Sequence, residues 1–157
     1  KACGARTVYY STDYVFEGDT PGRIYAESDP VGPVNVYGSS KLAGEAAVLA
    51  EDPASLVLRT TGVFGPEKQG KNFGYQLLNA VADKRSMACA TDSFGSPTYN
   101  RDLAAMTVGL LEANATGVYH CVGPETMHRH AFATLIAETL GLDAALITSV
   151  DSDTLYD

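Results

Sequence analysis

Apolar and polar residues are grouped in blocks along the chain. Short β-branched or aromatic runs give way to polar turns, and the turns lead into longer segments with apolar residues at helical spacing. Thr7-Val8-Tyr9-Tyr10 ends in Ser11-Thr12-Asp13, which reads as a buried strand with a polar C-terminal tip. Residues 17–32 are rich in Gly, Pro, Asp and Ser without a sustained period, so they predict a loop of the length that usually carries function. A helix is expected over 35–50, with Asn35 as N-cap, Val36, Leu42, Ala43, Ala46 and Leu49 on its inner side, and Pro53 beyond its end. The next strand is Leu56-Val57-Leu58-Arg59-Thr60, followed by loop residues Gly62, Gly65 and Pro66 and a helical segment over 73–84. Further on, the pattern predicts a strand over 87–90 and a helix over 101–113 with Leu103, Met106, Leu110 and Leu111 inward. A strand over 117–122 follows, then a helix over 128–140 with Phe132, Leu135, Ile136 and Leu140 inward. Gly141 is the stop signal of that helix, and 145–150 read as a last strand.

Strand–helix alternation of this kind implies an α/β fold with a mainly parallel sheet and right-handed crossovers. None of the fifteen glycines falls into Gly-x-Gly-x-x-Gly or Gly-x-x-Gly-x-x-Gly. The expectation is therefore a partial doubly wound (Rossmann) fold that lacks its Gly-rich first half. Residues 1–65 would form the second part of the dinucleotide-binding sheet, and 66–157 mainly a small α/β substrate-binding lobe that is incomplete at its C-terminus.

Composition narrows the function classes. At 157 residues and 45% hydrophobic content the chain can bury a sizeable core. Nineteen acidic against eleven basic residues, a net charge of −8, leave no basic surplus with which to neutralise nucleic-acid phosphates, so no nucleic-acid partner is expected. No run approaches the ~20 apolar residues of a membrane helix, and the first six residues lack the apolar core of a signal peptide. Cys3, Cys89 and Cys121 are odd in number and widely spaced, suggesting neither a disulfide framework nor a zinc site, and the cytoplasm is the default location.

The sharpest local feature is Tyr37-Gly38-Ser39-Ser40-Lys41, which puts a phenol and an ammonium four residues apart on one helix face. By spacing alone such a pair is weak evidence, and an exposed helix pair explains it equally. Its context is more informative, because the preceding strand ends in Ser11-Thr12 and can bring a hydroxyl to the same sheet edge. Hydride delivery to a ketone needs a proton donor at the oxygen, and a free phenol with a pKa of about 10 is a sluggish one. A neighbouring cation favours phenolate, and a threonine hydroxyl can fix the carbonyl oxygen.

Ser11-Thr12-Asp13-Tyr14-Val15-Phe16-Glu17-Gly18, Asp29, Pro33 and Asn35-Val36-Tyr37-Gly38-Ser39-Ser40-Lys41-Leu42-Ala43-Gly44-Glu45 resemble the central segment of dTDP-4-dehydrorhamnose reductases. These belong to the extended short-chain dehydrogenases/reductases, in the NAD-dependent epimerase/dehydratase superfamily. The similarity continues through Leu58-Arg59-Thr60-Thr61, Val63-Phe64-Gly65, Asn72-Phe73, Asp92-Ser93-Phe94-Gly95-Ser96-Pro97-Thr98 and Asp102-Leu103-Ala104. It implies a catalytic trio of Thr12, Tyr37 and Lys41, with Tyr37 and Lys41 at the cofactor (NADP or NAD) and Thr12, Asp13, Tyr14, Gly62 and Asn72 at a nucleotide-sugar substrate. Gly62 stands where these reductases commonly carry a tryptophan, and the chain stops before their Arg-Pro-containing C-terminal segment. Related dehydratases place Glu after the Thr-Asp pair to help eliminate water, whereas this chain has Tyr14.

The leading expectation is NAD(P)H-dependent reduction of a 4-keto nucleotide sugar with Tyr37 as proton donor. Epimerisation on the same fold is one alternative. A non-catalytic regulatory subunit resembling that of methionine adenosyltransferase is another. The isolated segment is expected to be inactive and to associate with itself as a homodimer or with a missing N-terminal half. Arg59 and Arg101 are candidate diphosphate clamps, with an ion pair to a nearby Asp an equal alternative. His128 and His130 lack an evident third ligand, so no metal is expected, and His120 reads as packed in mid-strand.

Overall fold

The computed structural model describes residues 4–155, so Cys3 lies outside the described residues. The chain divides into two compact units, one made of the described residues up to Thr61 with Arg101–Val122, the other of Gly62–Asn100 with the described residues from Gly123 onward. This division differs from the expected boundary at 65/66, because the segment 101–122 returns to the first sheet.

In the first unit, β1 (Val8–Thr12), β2 (Leu56–Thr60) and β7 (Gly117–His120) form a parallel sheet in the order β1-β2-β7. Thr12 lies opposite Thr60, and Arg59 lies between Ser11 and His120, so the C-terminal tips of all three strands are in line. β2 is buried along Leu56, Val57, Leu58 and Arg59, as the central strand of a sheet covered on both faces must be. α3 (Asn100–Glu112) supplies Leu103 to a core with Leu56, Leu58 and Cys121, and Met106, Leu110 and Leu111 pack against it as the periodicity predicts.

α1 (Val36–Glu51) starts at Asn35, whose side chain accepts the Gly38 N–H at 2.7 Å, and ends at Asp52, just before Pro53. Its buried face differs from the expected one. Val36 is 86% exposed and Ala43 and Ala46 are exposed, whereas Gly38 and Glu45 are buried. Gly38 is required by close approach, since a Cβ there would lie 2.1 Å from the Tyr14 carbonyl oxygen. The helix therefore packs backbone against backbone on the single 3-10 turn Asp13–Val15 that follows β1.

In the second unit, β4 (Met87–Ala90) and β9 (Ile147–Val150) pair in parallel, with α2 (Phe73–Ala82) and α4 (Arg129–Leu140) packed on them. Leu77, Cys89, Ala133, Ala137 and Ile147 form its core. Leu135 and Leu140, expected inward, are exposed; the inner stripe of α4 runs through Phe132, Ala133, Ile136 and Ala137. Two pairings of two-residue strands were not evident in the hydrophobic pattern: β3 (Val63–Phe64) with β6 (Thr98–Tyr99), and β5 (Phe94–Gly95) with β8 (Met127–His128). The last strand begins at Ile147, because Ala144–Leu146 form a 3-10 turn instead.

Candidate active site

β1 and α1 bring the catalytic candidates to one end of the first sheet. Thr12 is the last residue of β1 and is buried. Its hydroxyl donates to Asp13 Oδ1 at 2.9 Å and accepts the Tyr14 N–H at 3.3 Å. Asp13 Oδ2 accepts from Thr61 Oγ1 at 2.6 Å, so the carboxylate links the segment after β1 to the one after β2. Tyr14 and Tyr37 meet edge to face, 5.7 Å between ring centroids, and Tyr37 keeps 54% of its surface exposed. Tyr37 is thus open to solvent beside the turn that follows β1.

Lys41 lies one turn further along α1 and reaches back over β1. Its Nζ donates to the Tyr10 carbonyl at 2.5 Å and lies 4.4 Å from the centroid of the Tyr9 ring. An ammonium has three donors, and the Tyr10 carbonyl takes one of them. Gly44 faces the same ring, because a Cβ there would be 2.2 Å from the Tyr9 hydroxyl oxygen.

Beneath these residues is an ionic cluster that the sequence reading did not assign. Glu45 is 3% and Arg59 6% exposed. They are paired bidentately, Arg59 Nε to Oε1 at 3.0 Å and Nη2 to Oε2 at 2.8 Å, and Ser11 Oγ donates to the same Oε1 at 2.5 Å. Arg59 is thus committed to a buried carboxylate on α1, neither to a diphosphate nor to an aspartate. The missed signal was Glu45 at i+4 from Lys41, a charge on the helix's inner face where an arginine in the neighbouring strand could meet it.

The loop 17–32 is fastened to the same cluster. Phe16 stacks on Tyr25 at 4.4 Å, with Arg23 over the Tyr25 ring and Arg59 over Phe16. Glu27 Oε1 accepts the backbone N–H of His120 at 2.9 Å, which holds its carboxyl below the usual carboxylate range. The His120 ring packs edge-on against Phe16, and burial pushes its pKa down.

Arg101, the other clamp candidate, is exposed near the start of α3 in the first unit, and the remaining candidates lie in the second unit. Asn72 caps α2, its Oδ1 accepting from Tyr75 N and its Nδ2 donating to the Gly65 carbonyl at 2.8 Å. Gly62 has φ +51°, a conformation that favours glycine over a bulky side chain, and its carbonyl accepts from Thr98 N. His128 Nδ1 accepts the Ala131 N–H, so this histidine is the N-cap of α4. Among the described residues no group of three or more His, Cys, Asp or Glu side chains could hold a metal ion, and no helix is long and apolar enough to cross a membrane.

Comparison with known proteins agrees with this architecture. The family described as RmlD substrate binding domain matches residues 1–156. The dTDP-4-dehydrorhamnose reductase of Burkholderia thailandensis is 40% identical over 145 residues, covering 87% of this chain and 48% of that protein. The enzyme of the same name from Mycobacterium tuberculosis is 38% identical over 159 residues, covering 97% of this chain and 52% of that protein. The crystal structure of dTDP-4-dehydrorhamnose reductase from Bacillus anthracis in complex with NADP superposes with a TM-score of 0.90 at 30% identity, covering 99% of this chain and 54% of that one. The chain spans about half the length of the curated relatives it matches.

Proposed function

Because the chain belongs to the RmlD substrate-binding domain family, we propose that the full-length protein reduces a 4-keto nucleotide sugar with a nicotinamide cofactor, and that Tyr37 delivers the proton. The observation that carries this reading is the grouping at the tip of β1: a buried threonine hydroxyl, a half-exposed phenol in contact with the turn that follows it, and an ammonium anchored on the same strand.

The donor set suits the nicotinamide–ribose end of such a cofactor. Lys41 has ammonium donors beyond the one given to Tyr10, and these can bind ribose hydroxyls. The cofactor, when bound, supplies the hydride. Tyr37 supplies a proton to the sugar oxygen from a position open to substrate, with Lys41 as the nearest cation along the helix. Thr12 offers the second contact to that oxygen by swinging its hydroxyl hydrogen away from Asp13 Oδ1. Asp13 stays oriented because Thr61 holds its other oxygen, and Tyr14 offers a ring edge to the sugar. Gly62 and Asn72 belong to this reading as contributors to the substrate lobe, where their backbone and capping roles shape the loops they sit in.

The test is oxidation of NADPH or NADH, followed at 340 nm, by the full-length protein supplied with a dTDP-4-keto-6-deoxyhexose. The reading expects stoichiometric cofactor consumption and a 4-hydroxy product. Interconversion of sugar epimers without net consumption would replace it with epimerisation. No turnover together with a stable complex with a synthetase would replace it with a regulatory role.

A further inference from the structure

We infer that Tyr9 is a positioning residue for Lys41, seating its ammonium on the face of an aromatic ring, and that Gly44 exists to admit that ring. The inference rests on the reading of Lys41 as a cofactor-binding residue and adds to it a residue that does not touch the cofactor. Two independent observations carry it. Lys41 Nζ lies 4.4 Å from the Tyr9 centroid, within the range of a cation–π contact, while the Tyr9 hydroxyl donates to Lys41's own backbone carbonyl at 3.4 Å. Gly44, one turn further along α1, leaves room for the phenol, because a Cβ there would sit 2.2 Å from the hydroxyl oxygen and 2.6 Å from the ring carbon that bears it.

The ring therefore lies along the helix between Lys41 and Gly44. A lysine side chain has about four rotatable bonds and loses rotamer freedom when it is held in one place. A single hydrogen bond to the Tyr10 carbonyl fixes the ammonium's distance from β1. The ring face fixes its direction as well, so the remaining donors are already aimed when the ribose arrives.

Two readouts test the seat in the full-length protein. The first is the NMR resonance of the Lys41 ε-methylene protons, assigned with Lys41→Arg, which the ring current should shift upfield. The second is the Kd of NADPH and of NADH. Tyr9→Phe keeps the ring and should keep both. Tyr9→Leu should abolish the upfield shift and weaken cofactor binding about two- to fivefold, the size of a partly exposed cation–π contact. Gly44→Ala should reproduce the Tyr9→Leu effect in the native background and have no effect when Tyr9 is already leucine, since the clash is with the ring alone. The proposal is overturned if the Lys41 resonance is not upfield, if Tyr9→Phe loses as much affinity as Tyr9→Leu, or if the shift disappears with the Kd unchanged. If the protein binds neither cofactor, the reductase reading fails, and the Lys41 resonance still decides for or against the seat.

Discussion

Removing Glu45 should be among the most destabilising single changes in the first unit. The pair it forms with Arg59 is closed at 2.8 Å with side chains only 7% and 4% exposed. At that distance the attraction is about 6 kcal/mol for an effective dielectric constant of about 20. Taking both ions out of water costs several kcal/mol each, so the intact pair contributes little net stability. Breaking it is different. Glu45→Ala leaves the Arg59 guanidinium buried without a counter-charge and Ser11 without its acceptor, for an expected loss of about 3–5 kcal/mol. The double variant Glu45→Leu with Arg59→Met removes both charges together and should lie between neutral and a gain of about 1–4 kcal/mol. Urea unfolding of the full-length protein, read by circular dichroism with the slope m checked for constancy, measures both. A Glu45→Ala cost below about 1 kcal/mol, or a double variant as damaged as the single one, would refute the reasoning.

Gly38→Ala should cost about 1–3 kcal/mol and depress turnover, because its Cβ would strike the Tyr14 carbonyl and lift the first turn of α1, with Tyr37, off the strand tip. Gly109→Ala, on an open helix position with nothing within 4 Å, should instead gain up to about 1 kcal/mol in the same urea assay. His120 gives a pH dependence. Its pKa is held below 6.5 chiefly by burial, with Glu27 opposing and Arg59 adding to the depression. The folded state thus binds fewer protons than the unfolded one, and stability should fall as the pH drops through about 6.5. His120→Phe should flatten that slope between pH 7.5 and 5.5, a window above the titration of Glu27. An unchanged slope would place the effect elsewhere.

The sequence showed the order of the elements well, and β2 and β4 match the expected strands residue for residue. These are short apolar runs between turn residues, where local pattern and burial agree. It misjudged the buried face of α1 because that face is carried by Gly38 and Glu45, a residue without a side chain and a charged one. Neither contributes to a hydrophobic period. One is inward because a backbone lies against it, the other because Arg59 neutralises it, and both reasons lie on other elements. The Tyr-x-x-x-Lys spacing marked Tyr37 and Lys41, yet nothing local in the sequence ties Lys41 to Tyr9, thirty-two residues away. The two-residue strands β3, β5, β6 and β8 are too short to carry any period.

The central claim is that the Tyr37 hydroxyl protonates the sugar oxygen, and Tyr37→Phe in the full-length protein tests it most directly, because it deletes one oxygen and keeps the ring packed against Tyr14. Single-turnover reduction of the 4-keto nucleotide sugar should slow by about 10²–10⁴, the usual contribution of a general acid, while the Kd of the nicotinamide cofactor stays within about twofold. Retention of more than about a tenth of the native rate would contradict the account and assign the proton to another residue.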